Sequence, residues 1–203
     1  SETLLGHSTH NLAALIGSRI CHDLISPIGA ITNGLELMQM SGAALTPELA
    51  LVSESVENAN ARIRFFRVAY GMASEQQMMG RAEIVSILKA MAQGARVSFH
   101  WGPLEDLLRV EVRLAFLALQ CLETAMPYGG RISLTREGGL WAISGSADKL
   151  RQTPDLWAAL ETPGTGIDVS PSEVQFALLP ILLQEAGRRT SLRITEHDIL
   201  LRY

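Results

Sequence analysis

The sequence predicts an α + α/β protein: an N-terminal helical hairpin that forms a dimeric four-helix bundle, followed by an α/β sandwich. Three observations carry that reading. Residues 8–40 and 47–73 place apolar side chains at steps of three and four. Composition changes after Met79-Gly80. Beyond that point, short alternating stretches and turn signals are interleaved with helical ones. The chain has 203 residues, enough for the two domains this implies, 1–79 and 80–203.

In the first helix the apolar stripe is Leu12, Ile16, Ile20, Leu24, Ile28, Ile31, Leu35 and Met38. These positions share one helical face. Ser41-Gly42 breaks the pattern, and Thr46-Pro47-Glu48 reads as an N-cap with proline at the first helical position. In the second helix Leu49, Val52, Val56, Ala59, Ile63, Phe66 and Tyr70 form a heptad seam suited to bundle packing. The short connection makes the two helices an antiparallel hairpin. A lone hairpin cannot bury apolar positions on both sides of its seam, so a second copy paired about a two-fold axis is expected.

After Gly80, residues 82–93 predict a helix ended by Gly94, and Arg96 to Trp101 alternates like a strand. Glu111 to Met126 is a strongly apolar helix stopped by Pro127. Residues 131–135 and 140–144 flank Glu137-Gly138-Gly139, a hairpin signal. Ser172 to Ala186 is a helix bent or interrupted at Pro180. Residues 191–195 and 199–203 flank Glu196-His197-Asp198 as a second hairpin.

Composition narrows the function. With 19% charged residues and a net charge of −4, the chain offers no strong attraction to nucleic acid or an anionic membrane. Its apolar runs are too short to span a bilayer, and no signal-peptide pattern opens it, so a cytoplasmic protein is expected. Cys21 and Cys121 form no close-spaced metal or redox motif and read as reduced thiols on apolar helical stretches. His7 and His10 have the spacing of a shared helical face, but no further metal ligand accompanies them; a surface terminus explains them better.

Among the five histidines, His22 has the informative context. It stands two residues from both Ile20 and Leu24, roughly 160° round the helix from each at about 100° per residue. It therefore faces away from the bundle seam, together with Leu15, Ser18, Arg19, Ser26, Gly29 and Asn33. Ser18, Ser26 and Gly29 are small enough to let a partner approach the backbone, and Leu15 offers an apolar contact. Arg19 sits one turn away, where it can attract a phosphoryl group. Asp23 can hold Nδ1–H and leave Nε2 as the nucleophile.

The run His22-Asp23-Leu24-Ile25-Ser26-Pro27-Ile28 resembles the H-box of histidine-kinase dimerisation domains. The longer run His22 to Leu37 is similar to the ChpT-type histidine phosphotransferases, and the likeness extends over the whole chain. In kinases, Asn-x-x-x-Asn-Ala on a helix helps hold magnesium; the matching stretch here is Gln120-Cys121-Leu122-Glu123-Thr124-Ala125, without either asparagine. The kinase Asp-x-Gly-x-Gly stretch, whose aspartate reads adenine, is absent. Gly164-Thr165-Gly166-Ile167 is better read as a turn than as a phosphate loop.

The resemblance implies a Bergerat-like second domain that lacks the nucleotide site, and a relay in the first. His22 would be the phosphoacceptor and Asp23 the orienting carboxylate. Leu15, Ser18, Arg19, Ser26, Gly29 and Asn33 would dock the partner. The donor would be the receiver domain of a hybrid histidine kinase and the acceptors response regulators. The chain would need no cofactor of its own, with Mg2+ supplied by the receiver. Two alternatives stand beside this: an adaptor that binds receivers without phosphorylation, and an ATP-dependent histidine kinase with a divergent pocket.

Overall fold

Helix α1 runs from Glu2 to Met40 and α2 from Pro47 to Ala69. The computed structural model describes residues 2–44, 46–163 and 167–203; the side chains of residues 2–12, 15, 16, 18–20, 22, 23 and 171 lie outside the described residues. The chain divides into two compact units, Ser1–Ser74 with Ser86–Gln93 and Glu75–Val85 with Gly94–Tyr203. Among the described residues no helix is long and apolar enough to cross a membrane.

Local chemistry sets the ends of both helices. Gly42 takes a left-handed φ of 80°, which costs glycine little. There Ser41 N–H reaches the Leu37 carbonyl at 3.0 Å and Ala43 N–H reaches Met38 at 3.1 Å. At the start of α2 the Thr46 hydroxyl accepts from Leu49 N–H at 3.2 Å, with Pro47 following. That is the predicted cap. Helix α2 stops four residues before the predicted Ala73; Tyr70 N–H closes its last turn on Phe66 at 2.8 Å, and Gly71 follows.

The helices run antiparallel: Gly17 lies against Tyr70, while Leu35 and Met38 share a small hollow with Leu49. The inner line of α1 is Ala14 and Cys21, both buried, with Gly17, Ile25, Ile28, Thr32 and Leu35 half-buried. This differs from the expected stripe, which shares only Ile28 and Leu35 with it among the described side chains. Leu24, Ile31 and Met38 turn outward at 45%, 45% and 43% exposure. The reason is size. A Cβ on Gly17 would stand 3.3 Å from the Tyr70 carbonyl oxygen, so small residues let the backbones close where a large aliphatic would hold them apart.

The second unit is built on a mixed five-stranded sheet. Its strands are β2 (Val97–Trp101), β4 (Gly130–Glu137), β5 (Leu140–Ser146), β6 (Ser191–Ile194) and β7 (Asp198–Arg202), in the order β2-β4-β5-β7-β6. Only β2 and β4 are parallel; Phe99 pairs with Ile132, Leu134 with Ile143, and Ile143 with Leu201. A two-residue ribbon of β1 (Met78–Met79) and β3 (Leu107–Leu108) stands apart. Both predicted hairpins form. The first turns on Gly138 and Gly139, with φ of 57° and 84°, the paired positive values that a two-residue turn requires.

Helices α3 (Arg81–Ala92), α4 (Arg109–Thr124), α5 (Pro154–Glu161) and α6 (Val174–Glu185) complete the chain, with a 3-10 turn at Pro171–Glu173 leading into α6. Helix α3 crosses the division between the units; Arg64 of α2 donates to Ser86 Oγ at 3.2 Å. Helix α4 packs on β4 and β5 and is covered by α6, so Leu114 to Leu119 are all buried. Gly145 of β5 accommodates this contact; a Cβ there would overlap Met126 Cε. Ile132, Leu134, Trp141, Ile143, Ile199 and Leu201 alternate onto the helix side, and the opposite sheet face is left to solvent. Helix α6 continues through Pro180 without interruption.

Helix α5 was not predicted. Leu156, Trp157, Ala159 and Leu160 are buried, and Trp157 meets Phe176 of α6 edge-on at 5.1 Å. Its last residue, Glu161, accepts Leu192 N–H of β6 at 3.2 Å.

Candidate functional site

Position 22 lies in the middle of the 39-residue α1, which carries Pro27 inside it without a break. A proline has no N–H for the carbonyl four residues back, so the backbone of residue 23 loses a helical partner just after the histidine. The side chains of Leu15, Ser18, Arg19, His22 and Asp23, and those of His7 and His10, lie outside the described residues. Gly164 to Gly166 lie outside them entirely.

The rest of the predicted face is described. Ser26, Pro27 and Asn33 are exposed, and Gly29 has nothing within 4 Å of where a Cβ would stand. The turn between them is regular: Thr32 Oγ1 donates to the Ile28 carbonyl at 3.0 Å. One residue before His22, Cys21 is buried against α2. Burial pushes its thiol up, and the Arg67 guanidinium opposes that shift. A neutral thiol packed inward is inert toward electrophiles, which leaves the chemistry of this segment to its outward face.

On the flank of α1 opposite Ser26, Gly29 and Asn33, Leu24, Ile31 and Met38 are exposed, as is Val52 of α2 at 46%. The apolar spacing of the sequence puts all four in the interior of a bundle. Among the described residues of the single chain they remain 43–46% exposed.

The stretch Gln120 to Ala125 forms the last turns of α4. Cys121 and Leu122 are fully buried, and burial raises the Cys121 thiol well above its usual range. Thr124 Oγ1 donates to the Gln120 carbonyl at 2.9 Å and accepts from Gln175 Nε2 at 2.9 Å. Gln175 also donates to the Ser172 carbonyl at 3.1 Å. The Thr124 hydroxyl and the Gln175 amide are thus engaged with each other. Among the described residues no group of three or more His, Cys, Asp and Glu side chains is placed to hold a metal ion.

A second polar cluster lies at the other end of α4, where it was not anticipated. Glu111 accepts from Trp141 Nε1 at 2.7 Å and from Arg188 at 2.5 Å, and Arg188 also donates to the Gly139 carbonyl at 2.6 Å. Trp141 stacks on Tyr203 at 6.4 Å between ring centroids. Burial, then the charge of Glu111, pushes the Tyr203 phenol well up, with Arg188 opposing. These contacts join α4, the sheet and the segment after α6, and they hold the second unit together. The sequence signal was a lone glutamate in the first turn of an apolar helix, which also reads as a dipole partner.

A long helical pair ahead of a mixed-sheet α/β unit defines a two-part α + α/β protein, and known proteins share that plan. The family described as histidine phosphotransferase C-terminal domain matches residues 81–198. The protein phosphotransferase ChpT of Brucella abortus (strain 2308) is 34% identical over 204 residues, covering 95% of each chain. A solved structure described as a bacterial phosphotransferase superposes with a TM-score of 0.66 at 29% identity, covering 91% of both chains. The chain belongs to the ChpT-type histidine phosphotransferases, proteins of phosphorelay signalling.

Proposed function

We propose that His22 is the phosphoacceptor of this phosphotransferase and that it exchanges its phosphoryl group with the aspartates of receiver domains. The observation that carries the reading is the placement of His22-Asp23-Leu24-Ile25-Ser26-Pro27 at mid-length of α1, in a chain of this family. Neutral Nε2 attacks the phosphorus of an aspartyl phosphate in line. The N–P bond forms as the P–O bond breaks, and the receiver carboxylate departs. Asp23 orients the imidazole through Nδ1–H. Ser26, Gly29 and Asn33, with Leu15, Ser18 and Arg19, present the docking face. Chemistry of this kind rests on positioning and charge stabilisation; magnesium held by the receiver's acidic pocket supplies the latter.

The same reading assigns residues 1–79 to dimerisation and transfer. Exposure of Leu24, Ile31, Met38 and Val52 supports a second copy packing against them to complete a four-helix bundle. Residues 80–203 act as a kinase-like domain without nucleotide. The hydrogen bond of Gln175 on Thr124, which ties α6 to the stretch where the kinase asparagine motif would lie, supports that assignment. The donor is the receiver of a hybrid histidine kinase, the acceptors are response regulators, and the setting is the cytoplasm.

The test is acid-labile labelling by a phosphorylated receiver. Wild type takes up the label and His22→Ala does not, while both remain folded. Transfer through His22→Ala overturns the assignment. Equal receiver binding by both proteins with no labelling of either identifies an adaptor. Labelling from ATP alone identifies a kinase.

A further inference from the structure

The open face of the five-stranded sheet belongs to no part of this mechanism. Two hollows of about 510 and 710 Å³ lie on it and meet at Arg131 and Ser146. Together they make one groove across the strands. Its floor is low where Ser133 of β4 and Ser144 and Ser146 of β5 form it. Four cations line it, Arg96, Arg131, Lys149 and Arg193, against two carboxylates, Asp148 and Asp198. The groove is therefore net positive in a chain of net charge −4. Elsewhere on this unit Arg136 and Arg188 are paired with Glu105 and Glu111. Arg96, Arg131 and Arg193 are exposed and make no ion pair with any described residue.

We propose that this groove binds an extended acidic polypeptide segment of a partner protein. The cations are spread along the groove instead of converging on one point. From Arg131 on β4 to Arg193 on β6 is three strand steps, about 14 Å, or roughly four residues of extended chain. That spacing suits a row of carboxylates better than a single small anion. Single-stranded nucleic acid is disfavoured because it needs aromatic faces for its bases. The rings at the groove are Tyr128, which has Lys149 Nζ 5.0 Å from its centre, and the small imidazoles of His100 and His197. The acidic balance of the rest of the chain repels a polyanion and confines it to the groove.

The experiment is fluorescence anisotropy of fluorescein-labelled octaglutamate titrated with the full chain at low salt. Binding is expected to saturate, and Arg131→Ala with Arg193→Ala to weaken it at least tenfold. Arg62→Ala, a control on α2 where Arg62 donates to Asn58, is expected to bind as wild type does. If circular dichroism shows the double variant misfolded, Arg96→Ala with Lys149→Ala takes its place. The proposal is overturned if wild type does not bind, if the groove variant binds equally well, or if the control loses as much. Tighter binding of octathymidylate than of the peptide also overturns it.

Discussion

Gln175 Nε2 donates to Thr124 Oγ1 across 2.9 Å, tying the start of α6 to the end of α4. Gln175 is 4% exposed and is the buried polar residue among the described side chains of the core. Thr124→Val removes the acceptor while keeping the shape, and leaves the amide with the Ser172 carbonyl alone. An expected loss of about 1–2 kcal/mol follows from an unmade buried hydrogen bond. Urea unfolding followed by circular dichroism measures it. Thr124→Ser, which keeps the hydroxyl, recovers the part of the loss that is due to the hydrogen bond.

Glu111 gathers Trp141 and Arg188, with Arg136 Nε at 3.8 Å. Glu111→Ala strands a guanidinium that is 20% exposed and an indole N–H on a buried ring. The expected cost is about 2–3 kcal/mol, below that of a fully buried pair because water still reaches the arginines. Arg188→Met in the Glu111→Ala background removes the orphaned charge, so the double variant should be more stable than Glu111→Ala alone.

The Tyr203 hydroxyl is buried with no hydrogen-bond partner among the described residues. Its folded pKa is raised above the unfolded value, so its contribution to stability is intact below about pH 10. Above that, the unfolded chain releases the proton that the folded chain keeps, and stability falls. Cys121 acts in the same direction from a slightly lower pH. Tyr203→Phe is expected to match or exceed wild-type stability at pH 7 and to reduce the alkaline loss. A parallel loss in both proteins between pH 9 and 11 would contradict this.

Leu24 and Ile31 are each 45% exposed in the single chain. Leu24→Glu with Ile31→Glu is therefore expected to cost the isolated fold little while abolishing association through this face. Sedimentation of wild type should report a dimer, and of the variant a folded monomer with unchanged helicity. A variant that still sediments as a dimer would place the interface elsewhere.

The elements with strong local signals were legible in the sequence. Thr46-Pro47 announced α2, Gly138-Gly139 the first hairpin and Gly94 the end of α3, because each depends on backbone preferences of a few residues. The inner line of α1 was not. A reading weighted by side-chain size follows Leu24, Ile31 and Met38, whereas Ala14, Gly17 and Cys21 let α2 approach. Helix α5 is eight residues long and shows barely two turns of periodicity, and Thr153 before it makes no side-chain cap. The β1–β3 ribbon has two residues per strand, too few for any alternation to register. For the site, the motif around His22 was readable, while the hydrogen bonding that occupies Gln120, Thr124 and Gln175 depends on residues 51 positions apart in the chain.

The bond from Leu192 N–H to Glu161 has a consequence beyond α5 itself. Strand β6 is an outermost strand of the sheet, and its free amides are a template onto which another molecule could add a strand. The glutamate occupies one of those amides with a charged group. This short helix therefore closes part of the sheet's rim to strand addition as well as filling the core.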